Sequence, residues 1–145
     1  MATLRSEIAT LKGQIPDQAH AMADVGYHFS NLWFAGQHSN WSLAKFYFDE
    51  TRSHLNWAVR IKPIRKNNAG QDLDLKTILD GIDNTLFIGV KNAIEAKDAE
   101  KFPVAYRHAL DGCYSCHQAA DKPFLRLQIP TQPDAHLINF DPNAK

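Results

Sequence analysis

The sequence predicts an all-α fold: an antiparallel four-helix bundle followed by an extended, proline-containing C-terminal tail. Three observations predict it. Apolar side chains recur at three- and four-residue spacing through four stretches, the period of an amphipathic helix. Strand signals are scarce. Capping residues and prolines fall between the stretches, where helix starts and stops belong. With 145 residues the chain can bury one core but not two. A single domain over 1–145 is therefore expected, with the bundle at about 17–121 and the tail at 122–145.

The first predicted helix starts at Asp17, after Pro16, and ends near Gly36, with Ala19, Met22, Ala23, Gly26, Phe29 and Trp33 as its inward stripe. Residues before Pro16 also carry a helical pattern, as a separate turn or a bent extension. The second helix runs from Ser39 or Asn40, both good N-caps, to about Lys62, where Pro63 ends it. Its stripe is Ala44, Tyr47, Phe48, Thr51, Leu55, Ala58 and Ile61. The third runs from Leu75 to Ile94, after a 63–71 loop, with Asp72 and Asp74 where a helix start favours negative charge. The fourth opens near Pro103 and stops by Lys122, since Pro123 disfavours helix before it. Pro123, Pro130, Pro133 and Pro142 then keep the tail extended across the surface.

Composition excludes several function classes. Sixteen basic against sixteen acidic residues give zero net charge, which argues against nucleic acid or an acidic membrane as partner. The longest stretch without Lys, Arg, Asp or Glu is Val25 to Ala44, but eight of its twenty residues are polar, so it does not span a bilayer. Two cysteines make no disulfide framework.

Cys113-Tyr114-Ser115-Cys116-His117 has the form Cys-x-x-Cys-His, the c-type haem attachment sequence. Each thiol adds across a haem vinyl group, and the adjoining imidazole ligates the iron. On a helix the three functional residues stand at i, i+3 and i+4, so they leave one surface together. A zinc site at this motif would want two further Cys or His at matched spacing, and no second paired motif exists. A thioredoxin-like dithiol belongs at a helix N-terminus in a βαβ setting, whereas this pair is late in a helix. A plain disulfide leaves His117 unexplained.

With this motif near the end of a fourth helix, the chain resembles the class II c-type cytochromes, of the cytochrome c prime type. The resemblance covers roughly Asp17 to Ala120, and the pentapeptide is its specific part. Class I cytochromes c are a poorer match, since no Met follows His117. Here the tail, Asp121 to Lys145, runs on past the point where the family usually ends, which marks a divergent subgroup. The tail is expected to cover part of the haem or the bundle seam. The resemblance implies one haem c, carried by Cys113 and Cys116 with His117 as proximal ligand.

For the other face of the iron, bundle geometry favours Met22. Cys116 is five residues before the end of the fourth predicted helix and Met22 five after the start of the first, so both lie about 7.5 Å from one bundle end. His20 points about 160° away from Met22, and His28 about 120° away. Family members either take a Met from the first helix and transfer electrons, or keep an open, apolar distal face and bind nitric oxide or carbon monoxide. Met22, an open face and a distal His all stay in play. His54 and His108 fall away from the haem end and are read as surface or core residues.

Arg60, Lys62, Arg65 and Lys66 fall at the haem end, to pair with propionates, dock an acidic redox partner, or stand as a solvated loop. Trp33, Phe34 and Trp41 are a candidate homodimer patch. The expected role is one-electron transfer without enzymatic chemistry on a substrate, with a redox protein as partner. The alternatives are a five-coordinate gas-binding haem protein and a haemless bundle with a redox-active dithiol. Haem attachment on the outer side of the bacterial inner membrane implies a periplasmic protein, whose export signal this sequence does not include.

Overall fold

The computed structural model describes residues 2–134 and 136–145. The described chain is mostly helical, with one small two-stranded sheet. It comprises α1 (Ala2–Gln14), α2 (Gln18–Gln37), α3 (Trp41–Ile61), β1 (Ile64–Lys66), β2 (Asp72–Asp74), α4 (Leu75–Asp83), α5 (Leu86–Glu95) and α6 (Lys101–Ala119). Among the described residues, none of the helices is long and apolar enough to cross a membrane.

The helix starts follow the capping residues. The side chains of Asp17, Asn40 and Asp74 accept from the amides of His20, Leu43 and Thr77, each satisfying a donor the first turn leaves free. The ends of α2, α5 and α6 share a different device. Ser39, Lys97 and Asp121 take positive φ of 52°, 53° and 59°. The following amide in each case returns to a carbonyl five residues back, as Lys122 N–H does to the His117 oxygen at 2.8 Å.

Three expectations need correction. The single helix from Leu75 to Ile94 is two, α4 and α5, broken at Asn84–Thr85. Gly, Asp, Asn and Thr make 81–85 a poor helix former, and the Thr85 hydroxyl bonds back to the Gly81 carbonyl at 2.7 Å. Asp83, just before the break, forms a bidentate pair with Arg52 of α3, both contacts 2.6 Å. The 63–71 loop contains β1, which pairs with β2 in antiparallel register, Arg65 opposite Leu73. Gly70, at φ 79°, supplies the left-handed residue of its turn.

The third correction concerns α2. Its buried stripe is Ala21, Val25, Phe29, Leu32, Trp33 and Ala35, while Ala19, Ala23 and Gly26 are exposed and Met22 is half-buried. Val25 and Leu32 offer more apolar area than the small residues beside them, so the helix turns to bury them. The stripe expected for α3 is inward as read, and Phe87 of α5 joins the core as well.

One hydrophobic cluster joins α2, α3, α5 and α6 around Phe29, Leu32, Phe48, Phe87, Val90, Phe102 and Tyr106. Phe29 stacks on Tyr106 at 4.3 Å, and the Tyr106 hydroxyl donates to the Phe29 carbonyl at 2.7 Å. Gly36 is a close approach: a Cβ there would stand 2.1 Å from the Phe102 ring. Trp33 is core, Trp41 meets Phe102 edge-on, and Phe34 packs against Phe140, so these three serve the protein's own interior.

The tail is tied down at both ends of the molecule. Phe140 is buried beside Phe34, and its carbonyl accepts from the Asn40 side chain at 3.2 Å. At the other end, Gln18 donates to the Ala58 carbonyl at 2.9 Å and accepts from Arg65 at 2.6 Å. The Asn68 amide donates to Asp121 there. These contacts gather the start of α2, the end of α3, the hairpin and the end of α6.

Candidate functional site

The inward side of α6 carries Phe102, Tyr106, Ala109 and Gly112, all buried, and Cys113 packs on the same core. Cys113, Cys116 and His117 therefore extend the helix's core-facing stripe to its last turn. Gly112 leaves room for this: a Cβ there would meet Leu86 of α5 at 2.4 Å.

Both cysteines are free thiols. Burial, with a smaller push from Cys116, raises the Cys113 thiol to about 12. Burial also pushes Cys116 up. At neutral pH both are protonated.

His117 Nδ1 lies 3.0 Å from the carbonyl oxygen of Leu125. A carbonyl only accepts, so Nδ1 carries the proton and Nε2 of the neutral ring keeps its lone pair. The left-handed Asp121 makes this contact possible by reversing the chain straight after α6. Tyr114 holds the returning chain. Its hydroxyl donates to the Pro123 carbonyl at 2.9 Å, and the Arg126 guanidinium lies 5.7 Å over its ring. Tyr114, at a variable position of the Cys-x-x-Cys-His motif, thus clamps the tail.

The residues present fit a covalently attached haem. Two free thiols and an imidazole share one surface, and the imidazole is oriented by a hydrogen bond at its other nitrogen, as metal-bound histidines usually are. Met22 is half-buried and outside the cluster on which Cys113 packs. Of the basic group, Arg65 is bound to Gln18 and Lys66 lies 3.2 Å from Asp72, while Arg60 and Lys62 are exposed.

The structure also joins residues that sequence reasoning kept apart. His28, Glu50 and His54 meet between α2 and α3, with ligand atoms from all three within 4.8 Å of one another. Glu50 and His54 are four residues apart on one helix, a spacing visible in the sequence. The contribution of His28 from α2 is not. His20 pairs with Asp17 and His108 is exposed.

No family model matches this chain, and neither a curated protein nor a solved structure does.

Proposed function

We propose that this chain is a monohaem c-type cytochrome that carries single electrons, built on an antiparallel four-helix bundle of α2, α3, α4 with α5, and α6. The observation that carries the reading is the geometry at the end of α6. Two thiols and an imidazole share one face, and a main-chain carbonyl holds the imidazole by Nδ1.

Bound haem supplies a one-electron iron couple. Cys113 and Cys116 would hold the macrocycle edge on one rigid helix. His117 would offer Nε2 to the iron, and the Leu125 carbonyl, which orients its ring, would raise its basicity. The tail residues 122–127 shield that side. Exposed Arg60 and Lys62 at the same end suit an acidic redox partner.

Helix register keeps Met22 as the distal candidate. Gly36 faces Phe102 and Phe29 faces Tyr106, so numbers fall along α2 as they rise along α6. Seven residues beyond the Phe29–Tyr106 pair in each helix stand Met22 and Cys113, at the same height along the bundle. Only a small turn of α2 separates half-buried Met22 from the core stripe. Gas binding is the second reading, and it is favoured by Met22 being only half-buried and outside the cluster on which Cys113 packs, which would leave the distal face without a ligand. A redox-active dithiol is the weakest, because its thiols need depressed pKa values and burial raises these.

The absorption spectrum of protein made alongside a haem-attachment system tests the reading. A low-spin ferrous spectrum unmoved by carbon monoxide supports the carrier, and Met22→Ala then produces a carbon monoxide-sensitive one. A high-spin spectrum that shifts with carbon monoxide supports gas binding and contradicts the carrier.

A further inference from the structure

We propose that His28, Glu50 and His54 form a second metal site, holding a divalent first-row transition ion of the zinc class between α2 and α3. Among the described residues this is the one group of three His, Cys, Asp or Glu side chains whose ligand atoms converge within 4.8 Å.

The distances suit a missing cation better than a hydrogen-bond network. Glu50 Oε2 lies 3.8 Å from His28 Nε2 and 3.8 Å from His54 Nδ1, too far for hydrogen bonds. Ligands bound at about 2.1 Å around a tetrahedral ion stand about 3.4 Å apart, and the three ligand atoms here lie within 4.8 Å of one another, so side-chain movement of about an ångström closes the site.

The His28 ring is the sharpest sign. Its Nδ1 is buried without a partner, and its Nε2 has only the distant carboxylate. Neither nitrogen is satisfied by protein alone, a state that ordinarily costs stability. Glu50 is equally underused. No Lys or Arg nitrogen among the described residues lies within 4.0 Å of it, and its two histidines do not bond its carboxylate.

His54 is already oriented as a ligand. Its Nδ1 donates to the Glu50 carbonyl at 2.8 Å, which leaves Nε2 with the lone pair in the neutral ring. Burial and the facing His54 hold His28 below its ordinary pKa, against the opposing pull of Glu50 and Asp24. The neutral ring is the form that binds metal. With Glu50 ionised, the cluster is anionic and half-buried, and a divalent cation reverses that charge. Side-chain exposures of 15%, 28% and 36% for His28, His54 and Glu50 leave an entry path.

Two imidazoles and one carboxylate are a borderline donor set, suited to Zn²⁺, Cu²⁺ or Ni²⁺ and poorly to Ca²⁺ or Mg²⁺. Three protein ligands leave a fourth position open to water or another small ligand. His28 neighbours Phe29, at the level of Tyr106, which is about 10 Å along α6 from Cys113. The site is therefore separate from the thiols.

Calorimetric titration of the 145-residue chain with Zn²⁺ tests this. The expected result is one ion per chain, with at least about 100-fold weaker binding in His28→Gln, His54→Gln and Glu50→Gln. Cys113→Ser/Cys116→Ser keeps the affinity. Co²⁺ then gives d–d bands without a thiolate charge-transfer band. Absence of Zn²⁺ binding overturns the proposal. So does binding that survives the His28 and His54 variants, or a cobalt spectrum with thiolate character. Folding of each variant is read by circular dichroism, and Glu50→Gln, the least buried of the three, serves if a histidine variant does not fold.

Discussion

His117 donates from Nδ1 to the carbonyl of Leu125, 3.0 Å away and eight residues further along the chain. The tail is thereby part of the site. It sets which ring nitrogen is free, and Tyr114 and Asp121 place it there. In the haem-free chain, ¹⁵N spectra of the imidazole are expected to show His117 as the Nδ1–H tautomer. Tyr114→Phe, which removes the bond to Pro123, costs about 0.5–1 kcal/mol and shifts His117 toward the Nε2–H form of unconstrained histidine. An Nε2–H tautomer in the wild-type chain contradicts the contact.

The far end of the tail is an anchor of the fold. Phe140 is buried beside Phe34, and its carbonyl accepts from the Asn40 side chain. Phe140→Ala is expected to destabilise the chain by about 3 kcal/mol in urea denaturation, because it empties a core position. A loss below about 1 kcal/mol contradicts the packing of the tail.

Gly36 tests the crossing of α2 and α6. Alanine in a helix interior ordinarily gains about 1 kcal/mol over glycine. Here its Cβ would stand 2.1 Å from a fully buried Phe102 ring. Gly36→Ala is expected to lose about 2–3 kcal/mol in the same assay. A stabilised variant contradicts the close approach.

Alkaline stability follows from the buried thiol. Unfolded, Cys113 loses its proton near pH 9.0; folded, it keeps it to about 12. Between those values the folded state binds more protons, so stability falls as pH rises, by up to about 1.4 kcal/mol per unit. Burial also holds the Tyr106 phenol well above its ordinary 10.0, which adds a loss of the same sign beginning about one unit higher. In the haem-free chain, Cys113→Ala/Cys116→Ala, which also removes the second thiol that burial pushes up, is expected to delay the onset from about pH 9 to about pH 10. An unchanged onset contradicts the burial of the thiol.

The legible parts of the molecule were those written in local spacing. The Cys113–His117 motif, the caps Asp17, Asn40 and Asp74, and the inward face of α3 all depend on neighbours within a turn or two. What escaped depends on distant partners. The stripe of α2 turns because Val25 and Leu32 outbid smaller residues for burial. The break at Asn84–Thr85 combines poor helix formers with the Arg52–Asp83 pair. The acceptor for His117 is a main-chain carbonyl, and main-chain groups leave no mark in the residue types. His28 reaches Glu50 and His54 only because α2 lies on α3.

The central claim is that Cys113 and Cys116 carry haem with His117 as its ligand. Intact mass of the full chain, produced with a haem-attachment system, tests it most directly. One added haem mass, lost in Cys113→Ser/Cys116→Ser, is the expected result. A chain of unmodified mass, with both thiols free, contradicts the account.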